Sequence, residues 1–302
     1  MRHDSAFFAG RVDGSDWRRL LSISNIILLL GCAAFVLPTM VGVARVSWST
    51  EQGGHGPLVL ATGAWLLWRE FTINRAELSP GDLRLGAPVL AVCLIVFLLA
   101  RITGTLEVEA FAMYGSLISA AYLLFGGALL RSLWFPLIYL AFALPPPETV
   151  VAAVTQPIKI AISEGAVGML HALGYPIASS GVTIQIAQYE LLVAAACAGL
   201  NSIVTLSALC LLYVYLRHRS DPVPFVVISL SAIPVAMFAN FIRVIVLILL
   251  TYHFGEATAQ GYLHDAAGLL MFSVALLTVF AIDQSVTPAV RRLVAAYRKR
   301  SS

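Results

Sequence analysis

The length of its uncharged apolar runs is the strongest constraint on this chain. No residue from Cys197 to Leu216 carries a charge, and a second uncharged run starts near Val223 and ends only at Arg243. About 20 such residues form a helix as long as the hydrocarbon layer of a bilayer is thick. Composition agrees, since 59% of the 302 residues are hydrophobic and only 12% are charged. The sequence therefore predicts an all-α polytopic membrane protein, surrounded by lipid.

Similar runs along the chain predict about eight transmembrane helices in a single domain, residues 20–283. An N-terminal tail (1–19) precedes this domain and a basic tail (284–302) follows it. The expected spans are Leu20–Ala44, a second ending near Trp68, Leu85–Ala100, Ala110–Leu130, Ser132–Leu144, Cys197–Leu216, Val223 to about Leu250, and an eighth that opens at His264 and ends before Asp283.

Between the fifth and sixth spans the pattern changes. Apolar residues recur at helical spacing from Val150 to Ile162 with polar residues between them, which predicts an amphipathic helix lying on the membrane. Pro157 falls inside this segment and is expected to kink or split the helix. Further on, Val182, Ile184 and Ile186 alternate with polar residues, which predicts a short strand leading to the sixth span.

The distribution of basic residues orients the predicted bundle. With eight crossings and a cytoplasmic N-terminus, all but four of the 19 Lys and Arg residues fall on the cytoplasmic side; the four are Arg45, Arg101, Lys159 and Arg243. Positive residues are enriched in cytoplasmic loops and tails. Both termini are therefore expected in the cytoplasm. The net charge of only +3 gives no support for a nucleic-acid partner.

This topology predicts that three reactive side chains lie at the outer face: Cys197, Arg243 and His264. A cysteine in the first turn of a helix lies beside unpaired N–H groups, which favour the nucleophilic thiolate. A thiol, a guanidinium and an imidazole together provide a nucleophile, a cation and a general base, as acyl transfer at a peptide bond requires. No metal or cofactor is expected, because one Cys and one His are too few ligands.

A different interpretation fits the same apolar composition. The chain could be a transporter or channel in which Arg243 binds an anionic solute inside the bundle. Inverted repeats would favour that interpretation, and none is visible. Individually, Cys197 could simply pack a helix interface, Arg243 could extend towards lipid headgroups, and His264 could be an ordinary interfacial residue.

Several motifs resemble the exosortase and archaeosortase family of membrane transpeptidases, over about Ser79 to Ile282. The strongest are AACAGLNS (195–202), AIPVAMFANFIRV (232–244), and YHFG with GYLHDAAG (252–255 and 261–268). The LPPPE run (144–148) is also similar. One departure is visible: many members have CSGLRS where this chain has Ala198 and Asn201, so the subfamily and its cognate motif stay open.

The resemblance implies a function and a role for each residue. It implies that residues 20–283 form a catalytic domain in the bacterial inner membrane, with a Cys-Arg-His triad facing the periplasm. Cys197 is expected to be the nucleophile, His264 the general acid and base, and Arg243 the group that stabilises an oxyanion or the thiolate. The expected partners are exported proteins that end in a sorting signal: a short PEP-type motif, a transmembrane helix and a basic tail. Neither the acceptor nor the oligomeric state follows from the sequence.

Overall fold

The computed structural model describes residues 23–49, 54–73, 79–181, 183–192, 199–219, 221–255, 270, 273–288 and 292. In chain order its helices are α1 (Ile23–Val43), α2 (Gly56–Ile73), α3 (Leu83–Thr103), α4 (Leu106–Ser132), α5 (Trp134–Ala141), α6 (Glu148–Ala172), α7 (Gly199–His218), α8 (Pro222–Phe254) and α9 (Ser273–Pro288). A π-helical turn, Ala44–Trp48, continues α1. Three strands lie between α6 and α7: β1 (Ile177–Ser180), β2 (Thr183–Ile186) and β3 (Tyr189–Leu192).

Within the described residues, five helical segments are long and apolar enough to cross a membrane. They are Leu30–Trp48, Leu83–Thr103, Leu106–Ser132, Thr149–Ala172 and Pro222–Phe254. The protein is therefore a multi-pass, mainly α-helical membrane protein, as the composition predicted. The expected count of eight spans is not confirmed. In particular, the predicted crossing Ser132–Leu144 contains only α5, Trp134–Ala141, and a helix of that length rises about 12 Å, well short of a bilayer.

The segment after α5 is helical, as predicted, but it does not split. α6 runs from Glu148 to Ala172 with Pro157 inside it. One face of α6 buries Ile162, Ala166 and Leu170 against the strands and α8, whereas Val150 is exposed. Because α6 is also long and apolar enough to cross a membrane, its position on the membrane surface stays a prediction.

The predicted strand is confirmed as β2, and two further strands accompany it. The three form an antiparallel sheet in the order β1-β2-β3, with Ile177 opposite Ile186 and Ile184 opposite Leu191. Ile184 and Ile186 are fully buried and share one apolar cluster with Val244 of α8. We call the end of α8 that packs on this sheet the sheet end.

The opposite end of α8 carries charges and is called the basic end. It is defined by Arg217, His218 and Arg219, which lie where α7 passes into α8. Below these residues, α7 and α8 pack side by side through an apolar cluster that includes Cys210, Val214, Ile228 and Ala232, together with Ala275 and Val279 of α9.

The eighth predicted span was expected to end before Asp283, and the structure places this residue inside a helix. Helix α9 continues to Pro288, and Asp283 is only 1% exposed. Its carboxylate accepts hydrogen bonds from Tyr213 Oη (2.6 Å) and Thr287 Oγ1 (2.5 Å), and it lies 2.7 Å from His218 Nε2. A carboxylate with these partners no longer needs water, so the helix continues past it.

The hairpin of α3 and α4 is closed at both ends. At its turn, Glu109 accepts hydrogen bonds from Arg101 (2.6 Å) and Thr39 Oγ1 (2.6 Å). At the other end α4 is interrupted at Gly126, which has φ +83°. There Ser79 N–H donates to the carbonyl of Phe125, at 3.3 Å. A Cβ at Gly126 would lie 2.0 Å from the Ser79 carbonyl oxygen, so no larger residue fits.

Candidate active site

Arg243 is the one member of the predicted triad that the structure describes. It lies on α8, whose apolar sequence is interrupted by few polar side chains, and it is only 7% exposed. The neighbouring Val244 belongs to the apolar cluster formed with the sheet. Burying a guanidinium in an apolar helix is costly, so a buried arginine there is a candidate functional residue.

The start of α7 lies at the same depth as Arg243. α7 rises about 28 Å from Gly199 to His218, and α8 rises about 31 Å from Pro222 back to Arg243. The two helices pack against each other, and residues 219–221 link them at the basic end. Arg243 is therefore level with Gly199, at the sheet end of the pair.

The other two predicted site residues, Cys197 and His264, lie outside the described residues. Cys197 falls between the last residue of β3, Leu192, and the first residue of α7, Gly199. His264 falls between Phe254, where α8 ends, and Ser273, where the described part of α9 begins. The elements on either side of Cys197, β3 and α7, both contact α8.

The remaining cysteines lie on helices. Cys32 is exposed on α1, Cys93 is half-buried on α3, and Cys210 is fully buried between α7 and α8. A buried, apolar thiol is an inert small hydrophobe. Cys210 therefore serves as an internal control for the chemistry expected at Cys197.

No group of three or more metal-binding side chains occurs within the described part of the chain. His253, near the end of α8, contacts aromatic rings instead: its ring lies 5.0 Å from that of Tyr252 and 6.2 Å from that of Tyr175, both edge-on. These contacts indicate a packing role for His253.

The chain ahead of the LPPPE run contacts the residues on either side of the connection between α1 and α2. Trp48 Nε1 donates a hydrogen bond to the carbonyl of Ala143 (2.9 Å), and His55 Nε2 lies 3.2 Å from the carbonyl of Phe142. These contacts join residues about 90 positions apart in sequence and fix the point from which the chain enters the proline turn before α6.

Comparison with known protein families adds a direct result. The family model described as transmembrane exosortase matches residues 48–281. That range covers more than half of the 302 residues. The chain belongs to the transmembrane exosortase family. Neither the comparison with curated proteins nor that with solved structures found a match.

The exosortase match spans α2 to the middle of α9 and includes the positions of Cys197, Arg243 and His264. It ends next to Ile282, where the resemblance noted in the sequence also ends, but it begins earlier, before α2. The family assignment made from the sequence is therefore confirmed.

Two features of this exosortase were missed by the sequence analysis. Asn240 lies one turn before Arg243 on the same helix and is only 5% exposed. A polar residue in the middle of an apolar run was the available signal for it. The sheet was recognised only at β2, because β1 and β3 lack the strict alternation of polar and apolar residues.

Proposed function

We propose that this protein is a membrane-embedded cysteine transpeptidase or protease that cleaves C-terminal sorting signals of exported proteins. The observation that carries the proposal is Arg243: a buried guanidinium in an apolar helix, level with the start of α7, in a chain of the exosortase family. Cys197 precedes Gly199, the first described residue of α7, by only two positions. An enzyme that needs a cation beside a nucleophile would gain from such an arrangement.

Each residue of the proposed triad has a defined step. His264 takes the proton of the Cys197 thiol, and the thiolate Sγ attacks the scissile carbonyl carbon. The carbonyl oxygen becomes an oxyanion, whose charge Arg243 stabilises. Collapse of this intermediate breaks the C–N bond, gives the departing amine the proton held by His264, and leaves a thioester on Cys197. An acceptor amine or water then attacks the thioester carbonyl and gives its proton to His264. The C–S bond breaks, and His264 returns this proton to the released Cys197 thiolate.

The same proposal includes the environment of the reaction. The enzyme would lie in the bacterial inner membrane with both termini in the cytoplasm and the sheet end facing the periplasm. The basic residues of the α7–α8 link and of the C-terminal tail support this orientation. The expected substrate is an exported protein that ends in a short motif, a transmembrane helix and a basic tail.

The proposal is tested by replacing single cysteines. Cells expressing Cys197→Ala should accumulate exported proteins that retain their C-terminal segment, which mass spectrometry of membrane fractions detects. Cys210→Ser is the matched control, because its thiol is buried between helices and should not contribute to chemistry.

The outcome also separates the enzyme from a transporter. A transporter that uses Arg243 for an anionic solute would not require Cys197 in particular. Unchanged C-termini in the Cys197→Ala strain would therefore contradict the proposed function. Loss of processing in both cysteine variants would point to a general folding defect instead, which blotting for the protein itself would reveal.

A further inference from the structure

β3 is the terminal strand of the sheet and the strand nearest to Cys197 along the chain. The strand order is β1-β2-β3, so β3 pairs with β2 on one side only. Within the part of the chain that the structure describes, no strand pairs with its outer edge. A strand edge of this kind presents unpaired N–H and C=O groups, which are a template for another extended chain.

The register identifies which backbone groups of β3 face outward. Residues 187 and 188 form a two-residue hairpin loop between Ile186 and Tyr189, and Ala187 has φ +50°. In such a hairpin the pair next to the loop exchanges both hydrogen bonds, and the pairs then alternate. Tyr189 and Leu191 therefore bond to β2. By the same alternation, Glu190 and Leu192 direct their N–H and C=O groups away from the sheet.

The second hairpin gives an independent check on this assignment. β1 and β2 are joined by residues 181 and 182, so the pair of Ser180 with Thr183 is hydrogen-bonded. Alternation then makes Thr183 and Gln185 bond to β1, which leaves Ile184 and Ile186 to bond to β3. Both hairpins thus assign the same residues of β2 to bonding with β3. The outward-facing residues of β3 follow from this backbone register alone.

The sheet that carries this edge packs on α8 next to Arg243. The inner face of the sheet packs on α8 through a cluster that includes Val244, the residue after Arg243. At the end of α8, a Cβ on Gly255 would lie 3.5 Å from the Tyr189 hydroxyl, so β3 adjoins this helix. Leu192 is followed by Cys197 only five positions later. An extended chain paired with β3 would therefore bind to the strand that directly precedes the proposed nucleophile in sequence.

We propose that the outer edge of β3 binds an extended segment of the substrate polypeptide next to the scissile bond, by strand addition. The backbone groups of Glu190 and Leu192 would make the hydrogen bonds, so affinity would come from the main chain of the substrate. Near a membrane, where water competes less for these groups, such pairing is favoured. This inference rests on the proposed function and identifies the chemistry of the substrate: an extended peptide that presents its own N–H and C=O groups.

A pair of proline substitutions tests the inference. The substrate is an exported protein that retains its C-terminus in the Cys197→Ala strain. Leu192→Pro removes an outward N–H without removing a bond to β2, because proline lacks only that donor. We expect KM for this substrate to rise about tenfold, with little change in kcat. Ser179→Pro is the matched control: alternation directs its N–H outward from β1, the opposite edge, and it should process substrate as the wild type does.

A cross-linking experiment provides evidence that does not depend on how well the proline variant folds. In a Cys197→Ala background, Glu190→Cys is combined with single cysteines placed in turn along the substrate motif. Strand pairing predicts disulfides at every second substrate position, because side chains alternate between faces. Two controls measure disulfides that do not involve β3. One is the same background without Glu190→Cys, and the other carries Ser179→Cys instead of Glu190→Cys.

The results separate the two proposals. Alternating cross-links together with a rise in KM confined to Leu192→Pro would support strand addition. Equal kinetics for Leu192→Pro and Ser179→Pro, or cross-links without a two-residue period, would overturn it while leaving the cysteine enzyme intact. If the Cys197→Ala strain accumulates no unprocessed protein, the proposed function itself is wrong, and the binding edge is overturned with it.

Discussion

The two ends of α8 use charge in opposite ways. At the basic end, buried carboxylates accept from donors elsewhere in the chain: Glu70 contacts Arg219 in the turn after α7 (2.6 Å), and Asp283 contacts Tyr213 and His218 of α7 and Thr287 of its own helix. At the sheet end, Arg243 lies beside an apolar cluster built from α6, the sheet and α8. One end therefore joins distant parts of the chain through ion pairs and hydrogen bonds. The other end is held together mainly by apolar packing.

This difference indicates where stability and activity originate. A buried carboxylate that has several donors fixes helices relative to one another, and removing it leaves those donors without their partner. A buried guanidinium can also interact strongly with a negative charge that forms nearby during a reaction, which is the role proposed for Arg243. We therefore expect mutations at the basic end to lower stability and mutations at Arg243 to lower activity.

The largest effect is expected for Asp283→Ala. The substitution leaves His218, which is 2% exposed, without its carboxylate, and it removes the acceptor of Tyr213 and Thr287. Breaking a buried pair in this way costs about 3–5 kcal/mol. Arg217 also contacts Asp283, but its side chain is 48% exposed and adds little. Thermal unfolding in detergent, followed by circular dichroism, should show a clearly lower midpoint.

The control for Asp283 is Glu164→Ala, which removes an exposed carboxylate from α6. It should leave the midpoint almost unchanged. If Asp283→Ala unfolded at the same temperature as Glu164→Ala, the buried carboxylate at the basic end would not stabilise the fold. That result would contradict the expected difference between the two ends.

The next effect concerns Arg243→Lys, which keeps the charge and removes the planar fork of donors. Losing a well-aimed donor to an oxyanion costs about 2.7–4 kcal/mol, or roughly a hundred- to a thousandfold in rate. Processing of the substrate should fall by about this factor while the protein keeps its normal level in the membrane. Two blots measure this, one for uncleaved substrate and one for the enzyme. Full processing by the lysine variant would show that Arg243 only anchors α8.

The smallest effect is expected for Ile184→Val, which deletes one methylene group from the apolar cluster at the sheet end. Ile184 is fully buried, so the loss should be about 0.5–1.5 kcal/mol of unfolding free energy. Val150→Ala on α6 is the control, because Val150 is 57% exposed and should have almost no effect. If Ile184→Val lowered the unfolding free energy as much as Asp283→Ala, the two ends would not differ in how they stabilise the fold.

The sequence predicted what depends on long apolar runs and on local motifs. Helices such as Leu83–Thr103 and Pro222–Phe254 were recognised because an uncharged stretch leaves few alternatives in a membrane. The family was recognised from short motifs around Cys197, Arg243 and His264, and the family comparison confirmed it.

What the sequence did not predict depends on partners far along the chain. Asp283 looked like the end of a span, because its burial requires Tyr213 and His218, about 70 and 65 positions away. Pro157 was expected to kink or split α6, and the helix continues through it without splitting. β3 lacks an alternation of polar and apolar residues, and its strand structure depends on pairing with β2. The positions of Cys197 and His264 relative to Arg243 stay predictions, since both lie outside the described residues.

The interruption of α4 at Gly126 has a consequence for how the protein is assembled in the membrane. A helix that opens its own hydrogen bonds exposes carbonyl groups that lipid cannot satisfy. Here the carbonyls of Leu123 and Phe125 accept N–H groups from Gly81 and Ser79, which precede α3. α4 is thus complete only when the segment before α3 is already in place. We therefore expect α3 and α4 to enter the lipid together as one hairpin, after α4 has been synthesised.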